Sequence, residues 1–439
     1  MRVDEQEAPP AGRIGRLARL SGPRASLGKI TPVARDGLAL VLSSGLTSAV
    51  GLLYWIVAAR LFAPATVGVN SVALSTMQLL GGIAHLNLTQ ALLRFGAVAG
   101  RHTRRLMLTC YAVAAVVAAL VGLGYAAGAP RWAPEMVDAV GYAPLLLFFA
   151  VGTPVWAIFQ MQDYLLTALK RATVVPVENL VFALLKMGLL LAAVGMSSVF
   201  GIAVSWVVAT VLVVLAVNVY LLVRVIPRQA AGEPLEPVRP RTVARFVRSD
   251  YAGATLWQIA MNGLPALVLA RLGAEEAAVY GIVWTITISL YLIPSGMSQS
   301  MIAHTAGDPA RAEAARRAMV RRSLTMVLPA AAVLSLGAYP VLWLFGEQYA
   351  EQGAWALALA ALSAIPQVIT QSRVAQARVQ QRMRVLVLLP GSLALGVLVA
   401  AWLLMPVLGI TGVALAWLVV QSVGALVLLA HHHRRARRS

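Results

Sequence analysis

The sequence has 439 residues, of which 59% are hydrophobic and 12% are charged, and its formal net charge is +19. Soluble domains carry charge on about 25% of their residues, so this composition excludes a water-soluble globular protein. The single cysteine, Cys110, excludes an intramolecular disulfide framework and a cysteine metal cluster.

Apolar runs recur along almost the whole chain, and about 20 apolar residues are enough to cross a hydrocarbon core about 30 Å thick. In the first half we predict spans over 37–60, 67–92, 106–127, 141–168, 174–194 and 198–223. In the second half we predict spans over 251–271, 277–303, 322–345, 353–372, 385–405 and 409–430. The predicted fold class is therefore an all-α polytopic membrane protein with twelve transmembrane helices.

The distribution of basic residues predicts the orientation of these spans. With the N-terminus inside, the inner segments hold 32 of the 36 Lys and Arg residues, whereas the outer loops hold Arg60, Arg131 and Arg271. This asymmetry is typical of the positive-inside rule. It predicts a multi-pass membrane protein with both termini in the cytoplasm. Because topology accounts for the positive charge, we expect the lipid bilayer as a partner and no nucleic acid.

The start of the chain is expected to stay on the cytoplasmic side. The first 35 residues contain no apolar segment of the signal-peptide type. We therefore expect the first span to act as its own insertion signal.

Short patterns recur at a separation of 211 residues. Residues 59–61 (Ala, Arg, Leu) return at 270–272, and 201–208 return as a similar run at 412–419, each with Trp in the sixth position. Six spans is an even number, so the two halves have the same orientation and form a parallel repeat, with a site expected between them. The predicted domains are a cytoplasmic basic segment (1–36), an N-terminal lobe (37–223), a cytoplasmic linker (224–249), a C-terminal lobe (250–430) and a basic cytoplasmic tail (431–439).

The run 59–68 resembles the end of the first helix in polysaccharide-biosynthesis flippases. These are the O-antigen (Wzx-type) members of the multidrug/oligosaccharidyl-lipid/polysaccharide (MOP) exporter superfamily. Arg171, the run 175–179 and Lys186 resemble a pattern of actinobacterial members. The resemblance implies a two-lobed fold whose central cavity opens alternately to each face. It also implies a transporter of the bacterial plasma membrane that needs no cofactor and moves a polyprenyl-diphosphate-linked oligosaccharide to the outer leaflet. Polysaccharide polymerase or glycosyltransferase machinery would be its partners.

Lys186 is the sharpest candidate for a binding residue. It lies about twelve residues into the fifth predicted span, hence about 18 Å along the helix. An ionisable group at that depth costs about 2.5–3.5 kcal/mol on insertion scales, so it needs a partner or a wet cavity. Lys186 could be a cationic contact for the diphosphate. It could instead have a structural role, either in an ion pair between helices or as a side chain that snorkels to the membrane surface.

Two carboxylates, Asp163 and Glu178, lie near the inner ends of the fourth and fifth spans. They could form a structural ion-pair network with Lys170 and Arg171. They could instead relay a proton or a sodium ion, because carboxylates inside membranes often have that role.

Arg60 and Arg271 occupy equivalent outer helix ends in the two halves. One interpretation is that they anchor the helix ends among the lipid headgroups. The other is an electropositive outer rim that receives the diphosphate, because the planar guanidinium binds phosphate oxygens in a bidentate manner.

Amide side chains are numerous in the second, seventh and eighth spans. The resemblance implies that these helices line the cleft, where an amide could both donate and accept hydrogen bonds from sugar hydroxyls. The same amides could instead link helices, at about 0.6 kcal/mol for each bond. The cleft candidates are Asn87, Gln90, Gln258, Asn262 and Gln299.

The main alternative function is a cation-coupled multidrug (MATE-like) antiporter of the same fold. Such a site favours a buried carboxylate in the first or seventh helix, whereas Asp36 and Asp250 lie at the inner ends and the mid-span charge is Lys186. The sign of the charge thus favours anionic cargo. An enzyme is not expected, because the longest outer loop (128–141) is short, and a membrane scaffold is the remaining alternative.

Overall fold

The structure, a computed structural model, describes residues 50–96, 99–171, 173–195, 199–229, 251–305, 312–380 and 382–436. All of them belong to one compact unit, Ser43–Ser439. The predicted basic segment 1–36, the start of the first predicted span and most of the predicted linker lie outside the described residues. Asp36 and Asp250 lie outside them as well.

The described part of the first half consists of helices joined by short turns. Pro64 opens the second helix after an extended Ala63, as suits a residue without a backbone N–H. Leu221–Val225 forms a π-turn between the last two helices. The helices are α1 Val50–Leu61, α2 Pro64–Ala84, α3 Leu88–Gly96, α4 Thr103–Trp132, α5 Pro134–Val140, α6 Tyr142–Ala168, α7 Val174–Gly195, α8 Gly201–Tyr220 and α9 Ile226–Gln229.

The second half continues in the same way, and the described residues contain no β-strand. Its helices are α10 Tyr251–Leu272, α11 Ala274–Thr305, α12 Ala312–Leu336, α13 Ala338–Trp343, α14 Glu347–Val379 and α15 Met383–Ala436. Gly409, with φ 56° and ψ −141°, divides α15 into two arms. These arms match the predicted spans 385–405 and 409–430.

Within the described ranges, nine helices are long and apolar enough to cross a membrane: α2, α4, α6, α7, α8, α11, α12, α14 and α15. Helix α1 is apolar but shorter in the part described. Large apolar side chains such as Leu120 (66% exposed) and Leu147 (66%) cover the outside, as a surface in contact with lipid requires. The all-α membrane fold is therefore confirmed, whereas the number of twelve spans and the cytoplasmic termini stay predictions.

The second predicted span differs from the structure, which has a break between α2 and α3. Leu86 and Asn87 have positive φ values of 51° and 58°, a left-handed conformation that stops an α-helix. Asn tolerates it better than most residues. The hydropathy of the run 67–92 gives no sign of this break, because hydropathy does not report backbone conformation.

Helix α2 joins the two halves, since it packs on α4 and α6 in its own half and on α10 and α11 in the other. A Cβ atom added at Gly68 would lie 1.7 Å from the Ala274 carbonyl oxygen, and one at Gly82 would lie 2.5 Å from Nε2 of Gln258. The two halves are therefore in backbone contact at the start of α2, and the Gln258 side chain packs on the α2 backbone near its end.

The repeated tryptophans occupy equivalent packing positions. Trp206 of α8 contacts the Tyr54 ring of α1 in a T-shaped arrangement, with centroids 5.6 Å apart. Trp417 of α15 contacts Trp257 of α10 in the same arrangement at 5.8 Å. In each half the sixth predicted span thus packs on the first through the repeated tryptophan. The boundaries of the lobes stay predictions.

Candidate functional site

A cavity of about 280 Å³ lies in the second half, between α10, α11, α14 and α15. Residues of α14 spaced three and four apart form one wall, because such residues share one face of a helix. The α14 residues that line the cavity are Gln367, Thr370, Gln371, Val374 and Arg378.

The other walls add aromatic and apolar surface to these polar groups. The remaining lining residues are Trp257, Gln258 and Met261 of α10, Tyr291 and Ser295 of α11, and Leu386, Pro390 and Leu393 of α15. The lining thus combines amides, hydroxyls, aromatic rings and one guanidinium. No Asp or Glu occurs among the described residues that line it.

Hydrogen bonds hold several of the lining side chains in place. Thr370 Oγ1 donates to Oε1 of Gln421 at 3.0 Å, and the Tyr291 hydroxyl lies 2.7 Å from that of Ser363. Oε1 of Gln367 is buried and has no hydrogen-bond partner among the described residues. This wall is therefore a fixed polar surface with at least one acceptor still available.

The cavity lies near the end of the bundle that we predict to be cytoplasmic. Arg378 is one residue from the end of α14, and Leu386 is close to the start of α15. Arg382, between the two helices, and Arg384, in the first turn of α15, are exposed. A ligand that enters from this side would meet positive charge first.

Among the cleft candidates whose side chains the structure describes, Gln258 lines this cavity. Asn262, one turn further along α10, donates from Nδ2 to Oε1 of Gln258 at 3.1 Å, so it orients Gln258. The Gln299 side chain lies outside the described residues.

Asn87 lies in the break between α2 and α3, Gln90 lies in the first turn of α3, and neither is part of the cavity lining. The Asn87 N–H donates to Nδ1 of His85 at 3.1 Å, and the Gln90 N–H donates to the Asn87 carbonyl at 3.2 Å. Both side chains are half-buried. Their contact with cargo stays a prediction.

Lys186 is 5% exposed and lies in a cage of three aromatic rings within the first half. Its Nζ is 3.7 Å from the ring centroid of Trp206, 4.6 Å from that of Tyr54 and 5.1 Å from that of Phe182. In the part of the chain that the structure describes, Lys186 has no hydrogen bond or ion pair. Desolvated cation–π contacts contribute about 2 kcal/mol or more, so the rings offset much of the cost of burying this charge.

Arg60 and Arg271 each contact a tryptophan of the second half. Arg60 donates to the Trp343 carbonyl at 2.6 Å and to the Leu344 carbonyl at 2.9 Å, at the end of α13. The Arg271 guanidinium carbon lies 3.3 Å from the ring centroid of Trp402. Both partners are protein groups, so anchoring among the lipid headgroups and a role in receiving the diphosphate both stay predictions.

Asp163 and Glu178 lie in a polar cluster of the first half. Glu178 is 4% exposed, and its Oε1 accepts a short hydrogen bond from Nε2 of Gln162. Gln162 Oε1 in turn accepts from Nδ2 of Asn218 at 3.1 Å. Neither carboxylate forms an ion pair with a described residue, so the pairing with Lys170 and Arg171 is not observed.

The sequence predictions missed most of the cavity. Gln367, Thr370 and Gln371 fall within the tenth predicted span, but Arg378 lies beyond its predicted end at 372. The available signal was the polar stripe at 367, 370, 371 and 378, which has helical spacing.

Comparison by sequence found no matching family model and no matching curated protein. Comparison by structure found close agreement in fold. An inward-facing multidrug resistance MATE family transporter of the MOP superfamily gives a TM-score of 0.72 at 16% identity, over 89% of this chain and 94% of that chain. An outward-facing multidrug resistance MATE family transporter gives a TM-score of 0.67 at 16% identity, over 92% of this chain and 95% of that chain. This chain has the MATE fold.

A third structure with the MATE fold is a MOP superfamily transporter from Pyrococcus furiosus. It gives a TM-score of 0.62 at 13% identity, over 92% of this chain and 95% of that chain. Its description states that a reversed polarity of its binding pocket suggests a different function. At such identities the likeness shows the fold, and the cargo has to be argued from the side chains.

Proposed function

We propose that this chain is an alternating-access flippase that moves a polyprenyl-diphosphate-linked saccharide from the inner to the outer leaflet. The observation that carries the proposal is the chemistry of the cavity in the second half. Its described lining offers amides, hydroxyls and the Arg378 guanidinium, and includes no carboxylate.

Each part of this lining suits a part of the proposed cargo. Amides such as Gln258 and Gln371 donate and accept hydrogen bonds, as sugar hydroxyls do. The Trp257 and Tyr291 rings offer flat apolar surfaces to sugar faces. Arg378 is matched to phosphate oxygens, because guanidinium forms bidentate charge-assisted bonds with them.

The energetics of the membrane explain why such a protein is needed. A bare diphosphate has a large cost in hydrocarbon, whereas a polar cavity with a guanidinium lowers that cost while the lipid tail stays in the bilayer. An inside-negative potential also favours outward movement of negative charge, by about 2.3 kcal/mol per charge per 100 mV.

A cation-coupled multidrug antiporter is the second candidate, since multidrug MATE transporters share the fold. A cationic drug would need a carboxylate to neutralise it in the cavity. The described lining offers a guanidinium and no carboxylate. This sign is the reason for preferring the anionic, lipid-linked cargo.

Reconstitution tests the choice between the two cargoes. Proteoliposomes that contain the purified chain receive a lipid-linked oligosaccharide or a cationic dye, and the movement of each across the bilayer is measured. We expect the oligosaccharide to be flipped and the dye to stay. Arg378→Gln should reduce the rate of flipping about tenfold, because it removes one charge-assisted contact, and a tenfold change corresponds to about 1.4 kcal/mol.

The matched control is Arg382→Gln. Arg382 lies four residues after Arg378, is exposed and does not line the cavity. It should flip at the rate of the unchanged protein. Transport of the dye without the oligosaccharide would overturn the proposed cargo, and equal effects of the two substitutions would remove Arg378 from the site.

A further inference from the structure

We infer that Arg60 is a latch that holds the two halves together at the end of the bundle predicted to face outward. Its side chain belongs to the first half, and the carbonyl groups that it binds belong to the second. The latch sets which side of the protein is closed at rest. It does not depend on which cargo the cavity binds, so it goes beyond the proposed function.

The contact is a fork of two charge-assisted hydrogen bonds. Nη2 of Arg60 donates to the Trp343 carbonyl at 2.6 Å, and Nε donates to the Leu344 carbonyl at 2.9 Å. The guanidinium carbon also lies 5.5 Å from the centroid of the Trp343 ring, within the range of a cation–π contact. One side chain thus holds both the backbone and a ring of the second half.

The two acceptors lie where a helix has free carbonyl groups. Trp343 is the last residue of α13 and Leu344 follows it, and the last carbonyls of an α-helix have no partner within the helix. The Trp343 carbonyl also accepts from the Gly346 N–H at 3.1 Å, which its second lone pair allows. The end of α13 is therefore ready to accept an arginine from another element.

Each end of the contact is fixed to its own half. Helix α1 is held in the first half by the Tyr54 hydroxyl, which donates to the Ile202 carbonyl of α8 at 2.9 Å. Leu342 and Phe345, on either side of the two acceptors, are buried, and α13 packs on α14. A separation of the halves by a few ångströms would therefore break both bonds of Arg60. The latch stabilises the closed outer side relative to the open one.

The internal repeat offers a second latch that the structure does not form. Arg271 is the equivalent of Arg60, and Trp132 at the end of α4 is the equivalent of Trp343, each at a separation of 211 residues. Arg271 instead lies against the Trp402 ring of its own half, 3.3 Å from the centroid. No hydrogen bond joins Arg271 and Trp132 in the described part of the chain. The latch is therefore one-sided, and Arg271 provides its control.

Thiol labelling of the purified full chain in nanodiscs tests the latch without any cargo. The reporter is the cysteine introduced by Ser71→Cys, with Cys110→Ala to remove the native thiol. Ser71 is 5% exposed, and its Oγ lies 3.0 Å from an ideal Cβ at Gly281 of α11. It is thus covered while the halves are closed at this end. Its rate of labelling by a hydrophilic maleimide reports how often they open.

Arg60→Gln removes both the charge and the fork. We expect it to raise the labelling rate about fivefold, because the open population grows when the closed state loses its latch. The factor is modest since Arg60 is exposed and water replaces part of the lost bonds. Arg60→Lys keeps the charge but not the planar fork, so it should raise the rate less. It also keeps the test available if Arg60→Gln does not fold.

Two controls separate the latch from other effects. Arg271→Gln should leave the labelling rate unchanged, because Arg271 contacts its own half. The native Cys110, in variants that retain it, reports general loosening, since it is 4% exposed in α4 and α4 packs on α2, α3 and α6 of the first half. Cys110 should stay unlabelled in all of them.

Three results would overturn the latch. They are an unchanged labelling rate in Arg60→Gln, an equal rise in Arg271→Gln, and a rise of the same size at Cys110. A residue that only receives the diphosphate would leave labelling without cargo unchanged. Failure of the latch and failure of the proposed function are therefore distinguishable.

Discussion

Lys186 shows how aromatic rings accommodate a buried lysine that has no ion-pair partner among the described residues. Its ammonium group lies over three rings that come from α1, α7 and α8, with the Trp206 ring at 3.7 Å. The negative face of each ring attracts the cation. Replacing a buried charge by an apolar group of similar volume is often neutral or stabilising, so this lysine alone need not stabilise the fold.

The energy of the Lys186–Trp206 contact can be measured with a double-mutant cycle. Trp206→Leu is made both in the unchanged protein and in the Lys186→Met variant. We expect it to cost about 2 kcal/mol more stability in the unchanged protein, because only there does a lysine lose a cation–π partner. Chemical denaturation of the four proteins gives this coupling energy. Trp417→Leu, at the equivalent position of the repeat, should show no coupling to Lys186→Met, and a Trp206 coupling near zero would show that the rings act by packing alone.

At this scale the sequence predicted that Lys186 needs a partner, but not that aromatic rings would be that partner. Its depth follows from its place in the fifth span. The rings of Tyr54 and Trp206 lie in other spans, and only their packing in three dimensions brings them to the lysine.

At the scale of elements, α2 is the helix on which the arrangement of the halves depends. Small residues let its backbone approach α11, and the clearest case is Gly68. A side chain there would meet the Ala274 backbone, which cannot move aside as a flexible side chain can. The contact between the halves therefore requires glycine at this position.

The substitution Gly68→Ala tests this requirement. Its Cβ would lie 1.7 Å from the Ala274 carbonyl oxygen, so we expect a loss of about 1–3 kcal/mol of stability, typical of overpacking. Gly188→Ala is the matched control, because nothing lies within 4 Å of its Cβ in α7. It should be neutral or stabilising by about 0.5–1 kcal/mol. Equal Tm values for both variants would contradict the close contact.

The elements themselves could be predicted well where apolar runs and helices coincide. The predicted spans 141–168 and 174–194 match α6 Tyr142–Ala168 and α7 Val174–Gly195 almost residue for residue. The prediction failed where backbone geometry decides, as at Asn87, and where a helix continues as a polar, amphipathic segment. The extension of α14 to Val379 is such a case, and it carries Arg378 into the cavity wall.

At the scale of the whole molecule, the cavity of the proposed cargo lies within the second half. The sequence pointed to the two halves through its repeat, but it could not place the cavity. Gln258 and Arg378 are 120 residues apart in sequence, and they line one cavity only because α10 packs against the α14–α15 pair. Any movement of one half against the other has to change the contacts of α2 with α10 and α11.

Alternating access requires that those contacts change, and a reversible crosslink tests this. An ideal Cβ at Gly281 of α11 lies 3.3 Å from Cβ of Ser71 in α2, close to the separation of about 3.5–4.5 Å in a disulfide. The variant Ser71→Cys/Gly281→Cys, with Cys110→Ala, should therefore form a disulfide between the halves on oxidation. We expect crosslinked protein to stop flipping the lipid-linked oligosaccharide and reduction to restore it, because α2 and α11 can no longer separate.

Each single-cysteine variant is the control for oxidation itself, and both should keep their activity under the same oxidant. Gel mobility after protease cleavage in the linker reports the crosslinked fraction, so activity can be compared at known occupancy. If fully crosslinked protein transported at the normal rate, α2 and α11 would have to move as one body. The moving boundary between the halves would then have to lie elsewhere, and α2 would belong mechanically to the second half.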